Sequence, residues 1–339
     1  MRRRIVFGLV GVALVVGVGA YTAYWWIEAG KIEAAAVAWR DSVRAEKIDA
    51  SWRTMHVGGY PFSFRLELTD ATLKNNATLP AAALQAPTLT ASIRPWNFSA
   101  AWFDAPDGLN AALGPEGLAF AKIGAEHGEG AVAFAGDGPI AVWLSLYQAK
   151  ADAGVAVAAK AVHVWATLPA KAPTTHQDAG FAFAAALHDL APPAVPPGFK
   201  GTIDDVDFSV TTRGAFPSGS LAQAAAKWRD DGGTLDLDHF GLRWGEIEAD
   251  GSGTLALDGD LQPTGAFSGG IAGFDQLLTA LVTAGRVKAS DARIARLALA
   301  MLAKPGPDGR PEISTSFAIQ NGEMFLGPAK LGKAPRIDW

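Results

Sequence analysis

The sequence predicts a mainly β protein of the α+β class. It would have an N-terminal transmembrane helix, then an elongated, curved antiparallel sheet with a few helices packed on one face. Three observations carry this expectation. Ile5 to Trp26 contains no charged residue and follows Arg2, Arg3 and Arg4. Beyond about residue 51 the apolar period changes to two, over many short segments. The chain holds 38 Gly and 20 Pro, which suits frequent turns better than long helices.

The uncharged run comes first. At ~1.5 Å per residue, a helix of this length spans a hydrocarbon core of ~30 Å. Ile5, Leu9, Val15 and Val18 lie along it, and Tyr24, Trp25 and Trp26 close it as an interfacial aromatic belt would. The arginines ahead of it predict a cytoplasmic N-terminus. A second reading is a cleaved signal peptide, with Val18-Gly19-Ala20 as the small-residue site. Both readings export the chain beyond residue 26. The chain is acidic, with a net charge of −5. This argues against nucleic acid as a partner and against electrostatic adhesion to anionic lipid heads. With no Cys, disulfides and thiol chemistry are excluded, and the redox compartment stays undecided.

The organisation expected from sequence is a membrane anchor or signal peptide over 1–26, an amphipathic helix over 27–50, a β-rich half over 51–190, a Pro-rich connection over 191–199 and a second β-rich half with two helices over 200–339. Ile32, Ala36, Trp39 and Val43 give the first soluble helix one apolar face. Phe62, Phe64, Leu66 and Leu68 alternate with polar residues, as a half-buried strand requires. Leu89, Ala91 and Ile93 continue the pattern. Three strands are predicted around Gly136-Asp137-Gly138 and Ala153-Gly154. Pro192, Pro193, Pro196 and Pro197 exclude regular structure from the connection.

After it, Val206, Phe208 and Val210 alternate, and Ser220 is placed to cap a short helix stopped by Gly232-Gly233. Leu235 and Leu237 are out of phase with Phe240, Leu242 and Trp244, which predicts a bulge or tight turn at Asp238-His239. In the Gly-rich segment "ADGSGTLALDGDLQPTGAFSGGIAG", Asp250-Gly251 and Asp258-Gly259 read as turn dipeptides. Two helices come next, with apolar stripes at Phe274, Leu277, Leu278, Leu281 and Val282 and at Ile294, Leu297, Met301 and Leu302. Both stripes are expected to be core. Gly285 should stop the first helix, and Ser290 should cap the second. Asn321-Gly322 signals a hairpin. "AAAVAWRD" and "AQAAAKWRD" echo each other weakly.

Motifs for chemistry are missing. The six histidines (His56, His127, His163, His176, His188 and His239) include no i, i+4 pair, and no nucleophile elbow, phosphate loop or dinucleotide fingerprint occurs. Glu126, His127 and Glu129, and Asp236, Asp238 and His239, read as solvated turn residues. The Gly-rich segment lacks the Lys and hydroxyl of a phosphate loop, and its aspartates lack calcium-loop spacing. The sequence therefore predicts no catalytic residues, no cofactor and no metal. Two strands look apolar on both faces, around Trp143, Leu144 and Leu146 and around Val164 and Trp165. Such strands are either sandwiched or face an apolar ligand.

"GGYPFSFRLEL", "APTLTASIRPWNFSAAW", "GTLALDGDLQPTGAFSGGIAG" and "IQNGEMFLGPAKLGKAPRIDW" resemble the family named domain of unknown function 2125. That resemblance implies an inner-membrane or periplasmic protein of a Gram-negative bacterium. More distantly, the strand-rich body and "IQNGEMFLGP" are similar to AsmA-like envelope proteins, which implies a groove-forming sheet and lipid handling by analogy of fold alone. The expectation is a non-enzymatic, single-pass inner-membrane protein that contacts the bilayer and takes lipid acyl chains in an apolar groove. The alternative is a scaffold that binds other envelope proteins.

Overall fold

The computed structural model describes residues 2–75, 81–114, 119–135, 138–215, 221–306, 309–327 and 329–337. The side chains of residues 2–13, 135, 138, 139, 326, 329 and 331 lie outside that description. So do Ser220, Gly136 and Asp137, three residues singled out above as a helix cap and turn formers. The chain forms two compact units, Met1–Ala133 with Ala151–Gly154, and Phe134–Lys150 with Val155–Trp339.

The first unit opens on one uninterrupted helix, α1 (Arg2–Arg44). No proline occurs in it and alanine is frequent, so nothing breaks the backbone between the apolar run and the amphipathic stretch. The helix therefore joins the two segments that the sequence divides at residue 26. Eight strands come after it: β1 (Ile48–Ser51), β2 (Thr54–Gly58), β3 (Phe64–Asn75), β4 (Ala82–Arg94), β5 (Asn97–Ala105), β6 (Leu109–Leu113), β7 (Ala121–Ala125) and β8 (His127–Ala135). All the registered pairs are antiparallel. Long β3 pairs with β2 along its first half and β1 along its second, and β4 likewise pairs with β6 and then β5. Both changes of partner fall beside Asp70 and Pro87, which face each other where the β3–β4 register skips a pair. Pro87 has no N–H to offer a ladder, so the junction suits it.

One sheet face of this unit carries Val57, Phe64 and Leu66, and α1 lies on it through Trp25, Ala29 and Ile32. Trp25 is 1% exposed and Phe64 2%. Their rings stack with centroids 5.4 Å apart, and the indole N–H donates to the Ser63 carbonyl over 3.1 Å. Val43 is buried as expected, whereas Trp39 is exposed. Phe62 belongs to the turn ahead of β3 rather than to the strand, and it is exposed.

The second unit is an antiparallel meander. Its strands are β9 (Gly138–Asp152), β10 (Ala156–Thr167), β11 (Ala179–Leu190), β12 (Ile203–Arg213), β13 (Thr234–Trp244), β14 (Ile247–Leu257), β15 (Pro263–Ala272), β16 (Lys304–Pro305), β17 (Pro311–Gln320), β18 (Glu323–Leu326) and β19 (Ala329–Lys333). Neighbours in sequence pair throughout, except that β15 pairs with β17 and β16 adds to the start of β17. Helix α2 (Leu221–Asp230) lies between β12 and β13; α3 (Phe274–Thr283) and α4 (Ala289–Leu302) lie between β15 and β16.

The predicted slip in β13 is present. Ser209 faces His239 and Val210 faces Leu237, which leaves Asp238 as the extra residue. The Pro-rich connection joins β11 to its partner β12 inside this unit, so it is a loop and not a boundary between units. A Cβ on Gly198 would stand 2.9 Å from the Ala280 Cα, so the connection packs directly on α3.

Three further expectations change. Asp250-Gly251 is not a turn. It sits inside β14, opposite Gly270 and Gly269. The turn is formed instead by Gly245, which has φ 64°, and Glu246. Ser290 lies within the first turn of α4 rather than capping it. The α4 stripe is not core: Ile294 and Leu297 are each 69% exposed, Met301 81% and Leu302 67%. The inward face of α4 is the small one, with Ala292 buried. By contrast Asn321 and Gly322, with φ 54° and 70°, make the predicted hairpin turn between β17 and β18.

Candidate functional site

Side chains directly opposite each other in an antiparallel pair share a sheet face, so the registers of the second unit sort its residues into two sets. One face is apolar across six strands. It holds Val162 and Val164 of β10; Phe183, Ala185 and Leu187 of β11; and Val206, Phe208 and Val210 of β12. It continues through Leu237, Phe240 and Leu242 of β13 to Phe267 and Ile271 of β15, then Ile313, Phe317 and Ile319 of β17. The bulge at Asp238 keeps this face apolar on both sides of the phase slip. Phe183 and Phe208 contact each other at 5.8 Å between centroids, as do Phe267 and Phe317.

A groove of about 360 Å³ opens on this face. Leu237, Phe240, Phe267, Ile271, Phe317 and Ile319 line it, and Gly251 and Gly269 lie on its floor. The glycines are what make it a groove. Phe240 faces Gly251, and Gly251 faces Gly269, so the middle of the face has backbone where a neighbour would have a side chain. Phe267 lies over Gly253 in the same way, its Cδ1 2.5 Å from where a Cβ would stand. The lining is almost wholly apolar, the surface that would accept an alkyl chain.

The opposite face carries paired charges. Asp205 Oδ1 lies 2.5 Å from His188 Nδ1, and the other carboxylate oxygen meets Arg243. The Asp207 carboxylate meets His239 Nε2 at 2.7 Å, and Glu248 pairs with Arg310. Burial pushes the Asp205 carboxyl up, but Arg243 and His188 outweigh it and hold the group below the usual carboxylate range. Arg243 is raised in turn by Asp205. A depression of about 540 Å³, of mixed polar and apolar lining, lies over these groups. Each acid named here faces a base, the arrangement of a solvated ion-pair row rather than of an activated nucleophile. Among the described residues, no three His, Asp or Glu side chains come together in a way that could hold a metal ion.

The five residues picked from sequence as a possible groove do not converge. Ser145 bonds His163 over 2.7 Å and Tyr147 contacts the same ring, which puts these three on one face. Alternation then places Trp143 and Trp165 on that polar face, and Leu144, Leu146 and Val164 on the apolar one. Leu146 is 8% exposed, whereas Trp165 is 46% exposed. The groove lies instead on β13, β14, β15 and β17. Its signal was in the sequence: the residues facing one way in β15 alternate glycine with large apolar groups, Gly265, Phe267, Gly269 and Ile271, and those of β14 include the pair Gly251 and Gly253.

Of the N-terminal residues named above, Ile5 and Leu9 lie outside the described side chains. Val15, Val18 and Trp26 are exposed, Tyr24 is 38% exposed, and Trp25 belongs to the core of the first unit. No helix, among the described residues, is long and apolar enough to cross a membrane. Leu14, Gly17, Val18 and Tyr21 of α1 border an open apolar cleft with Tyr60, Pro61 and Phe62. The Tyr21 hydroxyl donates to the Pro61 carbonyl, and Thr22 Oγ1 lies 2.7 Å from the Tyr60 hydroxyl. The aromatic turn is thereby fixed to the helix.

A family model described as "Uncharacterized protein conserved in bacteria (DUF2125)" matches residues 25–335. No curated protein and no solved structure matches the chain.

Proposed function

The chain belongs to the DUF2125 family of bacterial proteins, and on that premise we propose that it is a non-enzymatic, membrane-anchored envelope protein that holds an acyl chain on the apolar face of its second unit. The observation that carries this reading is the glycine-floored groove between Phe240, Phe267 and Phe317. An exposed apolar surface of this kind is rarely idle. The distant sequence resemblance of "IQNGEMFLGP" to AsmA-like envelope proteins would point the same way, by analogy of fold alone.

The anchor is Ile5 to Trp26, on the strength of its uncharged length and the arginines before it. Tyr24 and Trp26 are partly or largely exposed near its end, and so are Tyr60 and Phe62 of the turn fixed to α1. Aromatic side chains of this kind suit the headgroup level of a bilayer. The body would then lie in the periplasm of a Gram-negative bacterium.

Lipid extraction and mass spectrometry of the full chain, purified from membranes in mild detergent, test the reading. Thr315 faces the groove opposite Gly269, so Thr315→Trp would fill it. Acyl lipids should co-purify with the natural chain and fall several-fold in the variant at unchanged circular dichroism. The absence of lipid, or the same yield from both proteins, would refute the proposal.

A further inference from the structure

Helix α4 is built the wrong way round for a helix serving only its own fold. Its inward residues include Ala292, which is buried, and Ala295 and Leu299, which are half-buried. Its large apolar residues Ile294, Leu297, Met301 and Leu302 are between 67% and 81% exposed. At 3.6 residues per turn they form one outward stripe with Ala298.

Charge identifies what the stripe meets. Residues 286–304 carry Arg286, Lys288, Arg293, Arg296 and Lys304 against a single acid, Asp291. Arg296 is engaged with Asp275 at 2.7 Å. Arg286, Lys288, Arg293 and Lys304 are exposed. This concentration of positive charge sits in a chain whose net charge is −5. The whole-chain balance, which argued against adhesion to anionic heads, averages over a basic segment that coincides with the most exposed apolar side chains. A protein partner needs no such coincidence. An anionic bilayer needs both: apolar groups for the acyl boundary and cations for the headgroups, with long basic side chains reaching past the apolar stripe to the phosphates.

We propose that α4 is an interfacial helix that lies on an anionic phospholipid surface, with Ile294, Leu297, Met301 and Leu302 in the acyl boundary and Arg286, Lys288, Arg293 and Lys304 among the headgroups. The inference concerns α4 alone and does not depend on the groove being occupied.

The chain has no cysteine, so Leu297→Cys takes one environment-sensitive fluorophore without other changes. Ser316→Cys, exposed on β17, is the control. The full chain is reconstituted in phosphatidylcholine vesicles with a rising fraction of phosphatidylglycerol. The label at 297 should shift to the blue as the anionic fraction rises, and the label at 316 should not. Arg286→Glu with Arg293→Glu should cut the shift to about a third or less, because each basic group contributes separately; so should high salt. Three results would overturn the proposal. They are no shift at 297, an equal shift with and without phosphatidylglycerol, or a shift without lipid that tracks protein concentration, which would mark a second copy as the occupant.

Discussion

Single residues decide the local geometry here. Trp25 fills the first unit's core, and its indole satisfies a backbone carbonyl. Trp25→Ala should cost about 3–5 kcal/mol by cavity formation, read as a lower denaturation midpoint, while Trp25→Phe should keep the stack on Phe64 and lose about 1 kcal/mol with the hydrogen bond. Gly269 lies so close to β14 that a Cβ would stand 2.0 Å from the Asp250 carbonyl oxygen. Gly269→Ala should therefore destabilise the unit by about 1–3 kcal/mol. Asp178 accepts the backbone N–H groups of Thr174 and Thr175 at 2.8 and 2.9 Å, and these bonds lower its carboxyl from the ordinary 3.8 to about 2. A carboxylate with a depressed value supports the fold above its unfolded value and loses that support as pH falls through the folded one. The Thr174 and Thr175 amide resonances should hence titrate near pH 2 and not near 3.8. Asp178→Asn should remove the titration.

Elements were legible where local chemistry alone dictates them. The bulge in β13 followed from the phase slip between Leu237 and Phe240, the helix stop from Gly285 with φ 68°, and the hairpin from Asn321-Gly322. They were misread where the same residue type serves two purposes. Asp250-Gly251 has turn composition, but Gly251 is there so that β14 and β15 can leave an open floor beneath Phe240. The α4 stripe has core composition, and sequence periodicity marks an apolar face without saying which way it points. Of the candidate groove residues, Trp143 and Trp165 were placed with the wrong face because both faces of β9 and β10 carry large apolar groups. Only the contacts of Ser145 and Tyr147 with His163, with strand alternation, show that Trp143 and Trp165 share a face with His163. Strand β12 offers a direct check on the two faces. Asp207→Ala on the ion-paired face should change stability by less than about 1 kcal/mol. Its neighbour Phe208→Ala on the apolar face should cost about 2–3 kcal/mol, with chemical denaturation as the readout.

At the scale of the molecule, the mainly antiparallel β class with its few helices was readable from period-two alternation. The division into units was not. Proline content suggested a boundary at 191–199, but that segment packs on α3 within one unit, and contacts divide the chain near residue 134 instead. Proline marks where regular structure stops, which is not the same as where packing stops. The central claim is that the apolar face of the second unit holds an acyl chain. Photo-crosslinking in living cells tests it most directly, with a photoreactive residue placed in turn at Ser314, Thr315, Ser316 and Phe317 of β17. These positions alternate between the polar face and the groove face. Lipid adducts are predicted at 315 and 317 and none at 314 and 316. Adducts to protein at 315 and 317, or lipid at all four positions alike, would contradict the claim.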